Sequence, residues 1–319
     1  MAHGRRQWTP DHTHAAPGAC TPAGQPVPAI APCTVGRVIV ELGPEHGYDI
    51  STRSLVMGIL NRTPDSFFDR GRHWGFDDFL RLADRQVADG ADILDVGGVK
   101  AGPGPEVTFA EEIDRVAGAV DALRRRFDLP IAIDTFRGAV AEAAFAAGAC
   151  IGNDISGFAD PAYLPACAGH RAAVVATHVR LGPRIPDPTP VYGDLLGEVR
   201  GFLAERAGWA EEAGIPPRRI MLDAGLDLGK TPAMSAALLR NSDDLVGLGY
   251  AVFLSASNKG FIGEMVDADV DDRVEATWAA HALGIALGCR ILRAHDVRGA
   301  RRVADVMADI LAARVEATA

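Results

Sequence analysis

MGILNRTPDSFFDRG, residues 57–71, is the stretch that decides the fold. It begins inside a short apolar run, residues 55–60, which predicts a buried strand. At Asn61 the sequence changes to polar and turn-forming residues, and Pro64 with its short polar neighbours cannot extend a central strand. A buried strand therefore delivers Asn61 to a surface. If other strands end in the same way, that surface is a candidate reaction site.

The composition bounds the class of protein. The chain has 319 residues, of which 48% are apolar, and a formal net charge of −10. One α/β barrel of about 250 residues fits this length as well as two domains do. The acidic balance, without a basic stripe carrying interleaved aromatic residues, argues against a nucleic-acid partner. No apolar run reaches the ~18 residues of a membrane span. The five cysteines form no CxxC pair and are typical of a reducing cytoplasm, so we expect a cytoplasmic protein.

The N-terminal region differs from the rest of the chain. Residues 1–35 are rich in Pro, Ala, Gly, Thr and His and show no apolar period, which predicts a disordered tail without a signal peptide. Residues 37–41 and 48–50 flank a Gly-Pro turn and predict a hairpin. We therefore expect a tail, residues 1–35, and one folded domain, residues 36–319.

From Ser54 onward, apolar strand candidates alternate with segments of helical period. Eight strands alternating with helices predict parallel pairing with the helices outside, and eight is the number that closes a barrel. The fold prediction is an α/β protein, a (β/α)8 TIM barrel with an N-terminal hairpin; an open doubly wound sheet is the alternative. Thr108 and Glu111 predict a capping box. The strands are predicted to begin near residues 55, 91, 131, 149, 172, 220, 251 and 289, and the helices to cover 77–88, 108–127, 138–147, 161–168, 193–213, 232–248, 270–287 and 297–313.

Each predicted strand leads into a polar residue at its C-terminal end. In a (β/α)8 barrel these ends converge on one mouth, where active sites are built. One Asp at a strand end is explained by a helix cap, but polar ends on eight strands are not. Such a ring suits a polar heterocycle on one side and an anion on the other. The ring contains acceptors (Asp95, Asp134, Asp223), amides (Asn61, Asn153) and cations (Lys259, Arg293, His295), with Asp154 and His178 at further strand ends.

A competing motif lies at residues 224–231, AGLDLGKT, which is similar to a phosphate-binding P-loop. The P-loop needs four residues between its glycines, and here Gly225 and Gly229 enclose only three. We therefore reject a nucleoside triphosphatase, although the loop could still offer N–H groups to an anion.

The ordered motifs MGILNRTPDSF, DVGG, AIDT, NDIS, MLDAG with LGKT, SASNKGFIGE and RAHDV resemble dihydropteroate synthase over roughly residues 36–315. The resemblance implies a (β/α)8 barrel that is commonly a homodimer and serves folate biosynthesis. It also implies a reaction that joins the diphosphate ester of 6-hydroxymethyl-7,8-dihydropterin to 4-aminobenzoate and releases diphosphate, using Mg²⁺.

The resemblance further implies roles for individual residues. Asp134, Asn153 and Asp223 correspond to the pterin-binding set. Lys259 corresponds to the lysine that packs on the pterin, and Asp95 to the carboxylate that helps to form the loop architecture over the site. Asn61, Arg293 and His295 correspond to the residues of the diphosphate and of Mg²⁺, with Asn61 as the metal ligand.

The chain also departs from the family pattern. Residues 99–104 read VKAGPG where the family has a hydroxyl and a guanidinium, Asn258 replaces a second guanidinium, and Arg62 replaces an apolar residue. This combination resembles the second, divergent actinobacterial paralogue. Two hypotheses stay open, a transferase and a pterin-binding protein with little or no synthase activity. A methyltransferase subunit is less well supported, because Asn61, Arg293 and His295 indicate an anionic leaving group.

Overall fold

Eight parallel strands close into a barrel in the computed structural model, which describes residues 38–62, 75–102 and 104–313. The predicted tail, residues 1–35, lies outside the described residues. The barrel order is β10-β3-β4-β5-β6-β7-β8-β9, and closure comes from parallel pairing of β10 with β3, in which Arg293 lies opposite Met57. The TIM barrel prediction is confirmed, and the open sheet is excluded.

The strands are β1 (Ile39–Glu41), β2 (Gly47–Asp49), β3 (Leu55–Asn61), β4 (Ile93–Gly97), β5 (Ile131–Asp134), β6 (Ile151–Asp154), β7 (Ala173–Thr177), β8 (Ile220–Asp223), β9 (Ala251–Leu254) and β10 (Ile291–Ala294). The helices are α1 (Phe76–Ala88), α2 (Phe109–Arg126), α3 (Gly138–Ala146), α4 (Tyr163–Gly169), α5 (Leu195–Glu212), α6 (Pro232–Arg240), α7 (Ser242–Val246), α8 (Gly260–Val266), α9 (Val274–Ala286) and α10 (Val297–Ala312). The eight barrel strands begin within two residues of the predicted positions.

The predicted hairpin closes the N-terminal end of the barrel. Strands β1 and β2 pair antiparallel, with Val40 opposite Tyr48. Val40, Leu42 and Ile50 are buried in the same apolar cluster as the inward-facing residues at the N-terminal ends of the strands. Burying one such side chain stabilises the fold by about 1.5–3 kcal/mol. The hairpin therefore seals one end of the barrel, and the other end stays available for a site.

A second apolar layer lies between the barrel and its helices, and α2 illustrates it. Val116, Val120 and Leu123 follow the helical period and are fully buried in this layer. Thr108 caps the helix, because its hydroxyl accepts a hydrogen bond from the backbone N–H of Glu111 at 3.2 Å. The predicted capping box is only half correct, since the carboxylate of Glu111 is paired with Arg115 instead.

Two helix predictions are wrong in detail. The segment 232–248 is broken at Asn241 into α6 and α7, and the side-chain amide of Asn241 donates to the carbonyl of Ala237 at 2.8 Å. This local bond competes with continuation of the helix. The segment 270–287 is a short 3-10 turn followed by α9, and the seven-residue α8 was not predicted. No helix in the described part of the chain is long and apolar enough to cross a membrane.

Candidate active site at the C-terminal mouth of the barrel

The two-residue period of the strands carries polar side chains into the barrel. Ile93, Met221 and Ile291 belong to the buried interior cluster, and the residues two positions further on are Asp95, Asp223 and Arg293. Because side chains alternate along a strand, these residues face the same interior one layer closer to the mouth. We call this set the polar layer. It comprises Asn61, Asp95, Asp134, Asn153, Asp223, Arg293 and, just beyond the strands, Lys259 and His295.

Arg293 bridges two carboxylates of the polar layer. Its Nε donates to Oδ2 of Asp95 at 2.6 Å, and its Nη2 donates to Oδ2 of Asp134 at 2.7 Å. Asp95 is fully buried and also accepts from the side-chain amide of Asn153 at 3.2 Å. Asp95 therefore lies on β4 and orients two neighbours at the mouth.

Burial and charge act in opposite directions on these groups. Burial raises the pKa of Asp134 to about 7, although the positive charge of Arg293 opposes this rise. The pKa of Arg293 is itself raised, because the attraction of Asp95 and Asp134 outweighs the burial that disfavours its charge. Asp134 therefore titrates near neutral pH while Arg293 stays charged.

Asp223 and Lys259 lie on the opposite part of the polar layer. Oδ1 of Asp223 accepts from the backbone N–H of Gly225 at 2.8 Å, and Nζ of Lys259 donates to the carbonyl of Leu226 at 2.8 Å. Burial raises the pKa of Asp223 and lowers that of Lys259, while Asp227 opposes the change at Lys259. The loop after β8 thus positions an acceptor and a cation at one edge of the mouth.

His295 is held by the serine that follows β9. The hydroxyl of Ser257 lies 3.0 Å from Nδ1 of His295 and accepts from the backbone N–H of His295 at 3.1 Å. Burial lowers the pKa of His295 to about 3, and the charges of Arg293 and Lys259 act in the same direction. The imidazole is therefore neutral at physiological pH.

Asn61 ends β3 beside Gly97 of β4. A Cβ added at Gly97 would lie 3.2 Å from Oδ1 of Asn61, so this glycine leaves room for the amide. Within the described ranges, no group of three or more His, Cys, Asp or Glu side chains could hold a metal ion. One amide oxygen fits Mg²⁺ only as an ion that keeps waters and shares the phosphates of a ligand.

Two strand-end residues lie outside the polar layer. Asp154 caps its own loop, since its carboxylate accepts from the backbone N–H groups of Ser156 at 2.6 Å and Phe158 at 2.7 Å. His178 comes one position after the inward-facing Thr177, and its Nδ1 lies 2.9 Å from Nζ of Lys230. For these two, the expectation that every polar strand end joins one ring is wrong, because strand alternation turns them away.

Lys230, the lysine of the P-loop-like segment, is buried and faces protein acceptors. Its Nζ donates to the carbonyls of Gly225 and Leu228, both at 2.9 Å, in addition to its contact with His178. Burial lowers the pKa of Lys230 to about 7. A lysine committed in this way ties two loops together, which supports the rejection of a triphosphate site. The spacing of the sequence had not indicated this role.

The residues that depart from the family pattern are also engaged. The guanidinium of Arg62 lies 5.4 Å from the ring centres of both Phe76 and Phe79, on the α1 side of β3. The backbone N–H of Asn258 donates to Oγ1 of Thr277 at 3.1 Å, so Asn258 is tied to α9. Neither residue is placed to replace a guanidinium at the mouth.

The loop after β4 is held through its carbonyls by three arginines. Arg115 donates to Gly98 at 2.8 Å, Arg184 to Pro105 at 2.6 Å and Arg137 to Val107 at 2.8 Å. Lys100 lies half-buried near the start of this loop.

A cavity of about 590 Å³ lies at the other end of the barrel and is separate from this site. Arg53, Asp92 and Arg301 line it, and both arginines pair with Asp92. Arg301 also pairs with Asp305, so both arginines of this cavity are engaged by carboxylates of its own lining.

Known proteins place this barrel in a family. Residues 57–295 match the model of the family described as pterin binding enzyme. Dihydropteroate synthase of Synechocystis is 39% identical over 262 residues, covering 81% of this chain and 91% of that protein. Inactive dihydropteroate synthase 2 of Mycobacterium leprae is 40% identical over 270 residues, covering 82% and 92%. The structure of Xanthomonas albilineans dihydropteroate synthase with 4-aminobenzoic acid is similar with a TM-score of 0.80 at 35% identity, covering 88% of this chain and 100% of that one.

The fold and the polar layer therefore define a pterin-binding barrel. Since the match to the family covers most of the chain and the relatives are nearly 40% identical, the chain belongs to the dihydropteroate synthase family. Both a synthase and an inactive second paralogue are among its relatives at similar identity.

Proposed function

We propose that this chain is a transferase of the dihydropteroate synthase type. Its substrates would be the diphosphate ester of a 6-hydroxymethyl-dihydropterin and an arylamine such as 4-aminobenzoate, and diphosphate would be released, in folate biosynthesis. The observation that carries the proposal is the polar layer, which sets buried acceptors beside buried cations at the mouth of the barrel. The Xanthomonas relative with 4-aminobenzoic acid supports the choice of amine.

The acceptors of the polar layer bind the pterin. The ring of a pterin carries N–H and amino donors, and Asp134 and Asp223 are the carboxylates that would accept from them. Asn153 adds an amide whose orientation is fixed by Asp95. Lys259, whose stem is long and apolar, packs on the ring while its ammonium faces the polar edge.

Two donors of the polar layer bind the leaving group, the charged Arg293 and the neutral His295. Arg293, whose Nε and Nη2 already donate to Asp95 and Asp134, would offer the N–H groups of its Nη1 to phosphate oxygens, and His295 contributes one N–H donor. The ester C–O bond breaks with its electron pair going to the diphosphate, the amine nitrogen forms the new C–N bond, and one amine proton goes to solvent. Donors fixed in place stabilise the charge that grows on the diphosphate. When bound, Mg²⁺ supplies further neutralisation of that charge, and Asn61 is the residue that would hold it.

A second candidate function is a pterin-binding paralogue with little or no synthase activity. Its support is that Asn258 is tied to α9 and Arg62 to the rings of α1, so two positions that depart from the family pattern add no cation at the mouth. The mycobacterial relative at 40% identity is described as inactive.

Self-association as a homodimer is part of the proposal. Adjacent helices α9 and α10 expose apolar side chains, with Leu283 at 39%, Val306 at 57% and Ile310 at 59% exposure. Apolar patches of this kind mark protein interfaces. In sedimentation velocity we expect a dimer that dissociates when Val306 and Ile310 are both changed to Asp. A monomeric parent protein would contradict this part of the proposal.

Calorimetry with a pterin ligand tests the binding half of the proposal. Asp223→Ala should abolish measurable binding, because it leaves donors of the bound ring unpaired at ~1–3 kcal/mol each. Asp128→Ala, which removes an exposed carboxylate outside the polar layer, is the matched control and should bind like the parent. Equal affinity in both variants would show that the pterin lies elsewhere.

Complementation separates the two candidate functions. A strain lacking its own dihydropteroate synthase should grow when it carries this chain, and should fail with Asp223→Ala. Pterin binding in calorimetry without growth would favour the paralogue with little or no activity.

A further inference from the structure

We propose that Ser257 is a positioning residue that fixes the tautomer of His295, so that the ring proton lies on Nε2. The inference starts from two contacts of one hydroxyl. Oγ of Ser257 lies 3.1 Å from the backbone nitrogen of His295 and 3.0 Å from its Nδ1.

The direction of each hydrogen bond follows from the atoms. A backbone N–H can only donate, so Oγ is the acceptor of the first bond. Ser257 is 8% exposed, and its hydroxyl hydrogen therefore needs an acceptor within the protein. Among the described residues, Nδ1 of His295 is the acceptor at hydrogen-bond distance from this hydroxyl. Nδ1 then carries a lone pair, and a neutral ring must hold its proton on Nε2.

Because the ring is neutral, the tautomer determines which of its two nitrogens is a hydrogen-bond donor. Burial next to Arg293 and Lys259 lowers the pKa of His295 to about 3, so the imidazole has one N–H at neutral pH. With Nδ1 as an acceptor, the ring edge away from Ser257 presents a donor. In the other tautomer that edge would present a lone pair, which repels an anion.

The consequence for function rests on the proposed function, because it assumes that His295 faces the diphosphate. A wrong tautomer would weaken binding of the diphosphate ester and leave binding of the unphosphorylated pterin unchanged. Losing one neutral hydrogen bond of this kind lowers affinity about three- to tenfold.

Nitrogen NMR of the full-length chain tests the tautomer without reference to any substrate. In protein labelled with ¹⁵N-histidine, the spectrum of His295→Gln assigns the signals of His295. We expect the parent to show the Nε2–H tautomer, Ser257→Ala to show a mixture of both tautomers, and Ser257→Thr, which keeps the hydroxyl, to restore the single form. A parent in the Nδ1–H form, or a Ser257→Ala spectrum identical to the parent, would overturn the inference.

Calorimetry then tests the functional consequence in the parent, Ser257→Ala and Ser257→Thr. Ser257→Ala should weaken the diphosphate ester about three- to tenfold without changing the affinity for the plain pterin. Ser257→Thr should bind both ligands like the parent. Equal loss for both ligands would assign Ser257 a merely structural role. If the parent binds no diphosphate ester, the proposed function fails, and the NMR result alone decides the tautomer.

Discussion

At the scale of single residues, the site is a set of buried charges that restrain one another. Arg293 is shared by Asp95 and Asp134, and Lys259 lies near Asp223 and Asp227. Strand alternation predicts from sequence which of these side chains face inward. It does not predict which carboxylate an arginine on a distant strand will bridge, because that depends on barrel register. The three-dimensional arrangement is what makes Asp134 titrate near neutral pH.

Asp134 should make pterin binding depend on pH. Its pKa of about 7 means that acidification from pH 8 to 6 protonates it and removes an acceptor for the ring. We expect the affinity to fall by up to about tenfold over this range, because one proton on Asp134 leaves only about a tenth of the protein with an ionised carboxylate at pH 6. Asp134→Asn should bind more weakly at pH 8 and should lack the part of the pH dependence that Asp134 contributes. Since ionisation of the ligand affects both proteins, only a difference between their profiles supports the assignment; parallel profiles would refute it.

Substitutions of Lys100 and Arg62 should have different effects, the first on ligand binding and the second on stability. Lys100 lies in the loop at the mouth, and Lys100→Ala should weaken the diphosphate ester about threefold while leaving the plain pterin unchanged, as expected for one partly exposed charge pair. The guanidinium of Arg62 lies over Phe76 and Phe79, so Arg62→Leu should lower the melting temperature without a selective effect on the ester. Calorimetry and thermal melts measure both effects. The reverse pattern would assign the compensating charge to Arg62.

At the scale of elements, the loop between β8 and α6 carries more of the site than its sequence suggests. Its carbonyls hold Lys230 and Lys259, and its Gly225 N–H holds Asp223. The eight barrel strands and most helices are predictable, because apolar periodicity is a long-range signal that local chemistry rarely overrides. The break at Asn241 and the short α8 are not, since single side-chain bonds and tertiary contacts decide them. For the same reason, the sequence does not indicate the role of Lys230, which depends on tertiary contacts.

Removing the Lys230 ammonium should loosen this loop as a unit. Lys230→Met leaves buried carbonyls without a donor, at ~1–3 kcal/mol for each group. We expect a melting temperature lower by at least about 4 °C and a weaker affinity for pterin, because Leu226 also positions Lys259. Lys259→Met is the comparison variant, since it removes one carbonyl contact instead of two and should lower affinity with a smaller change in melting temperature. An unchanged melting temperature in Lys230→Met would show that the loop is held by other contacts.

At the scale of the whole molecule, burial keeps three histidines neutral at physiological pH. Burial lowers the pKa of His178 to about 3, of His281 to about 4 and of His295 to about 3. His178 and His295 belong to the loops around the mouth, whereas His281 is fully buried on α9. Within the described residues, neither ring nitrogen of His281 has a hydrogen-bond partner. His281 therefore tests the acid sensitivity of the fold without touching the site.

Acid should destabilise the protein through His281 between pH 6.5 and about 4. In the unfolded chain this imidazole takes up a proton near pH 6.5, whereas in the folded chain burial lowers its pKa to about 4, against the weaker attraction of Asp296. The unfolded state binds more protons inside this window, so stability falls as the pH decreases through it and is constant above it. The lost stability is on the order of 3 kcal/mol at the acid end.

The substitution His281→Leu removes this titration. The free energy of unfolding of His281→Leu, relative to that of the parent, should therefore be about 2–3 kcal/mol higher at pH 4.5 than at pH 7.5. The titration of all other groups is common to both proteins and cancels in this difference. His281→Gln keeps a polar side chain that cannot take the proton and should show the same pH-dependent difference, even if it is less stable at every pH. Urea unfolding at the two pH values measures these differences, and variants whose stability runs parallel to that of the parent would mean that His281 is not the buried neutral group described here.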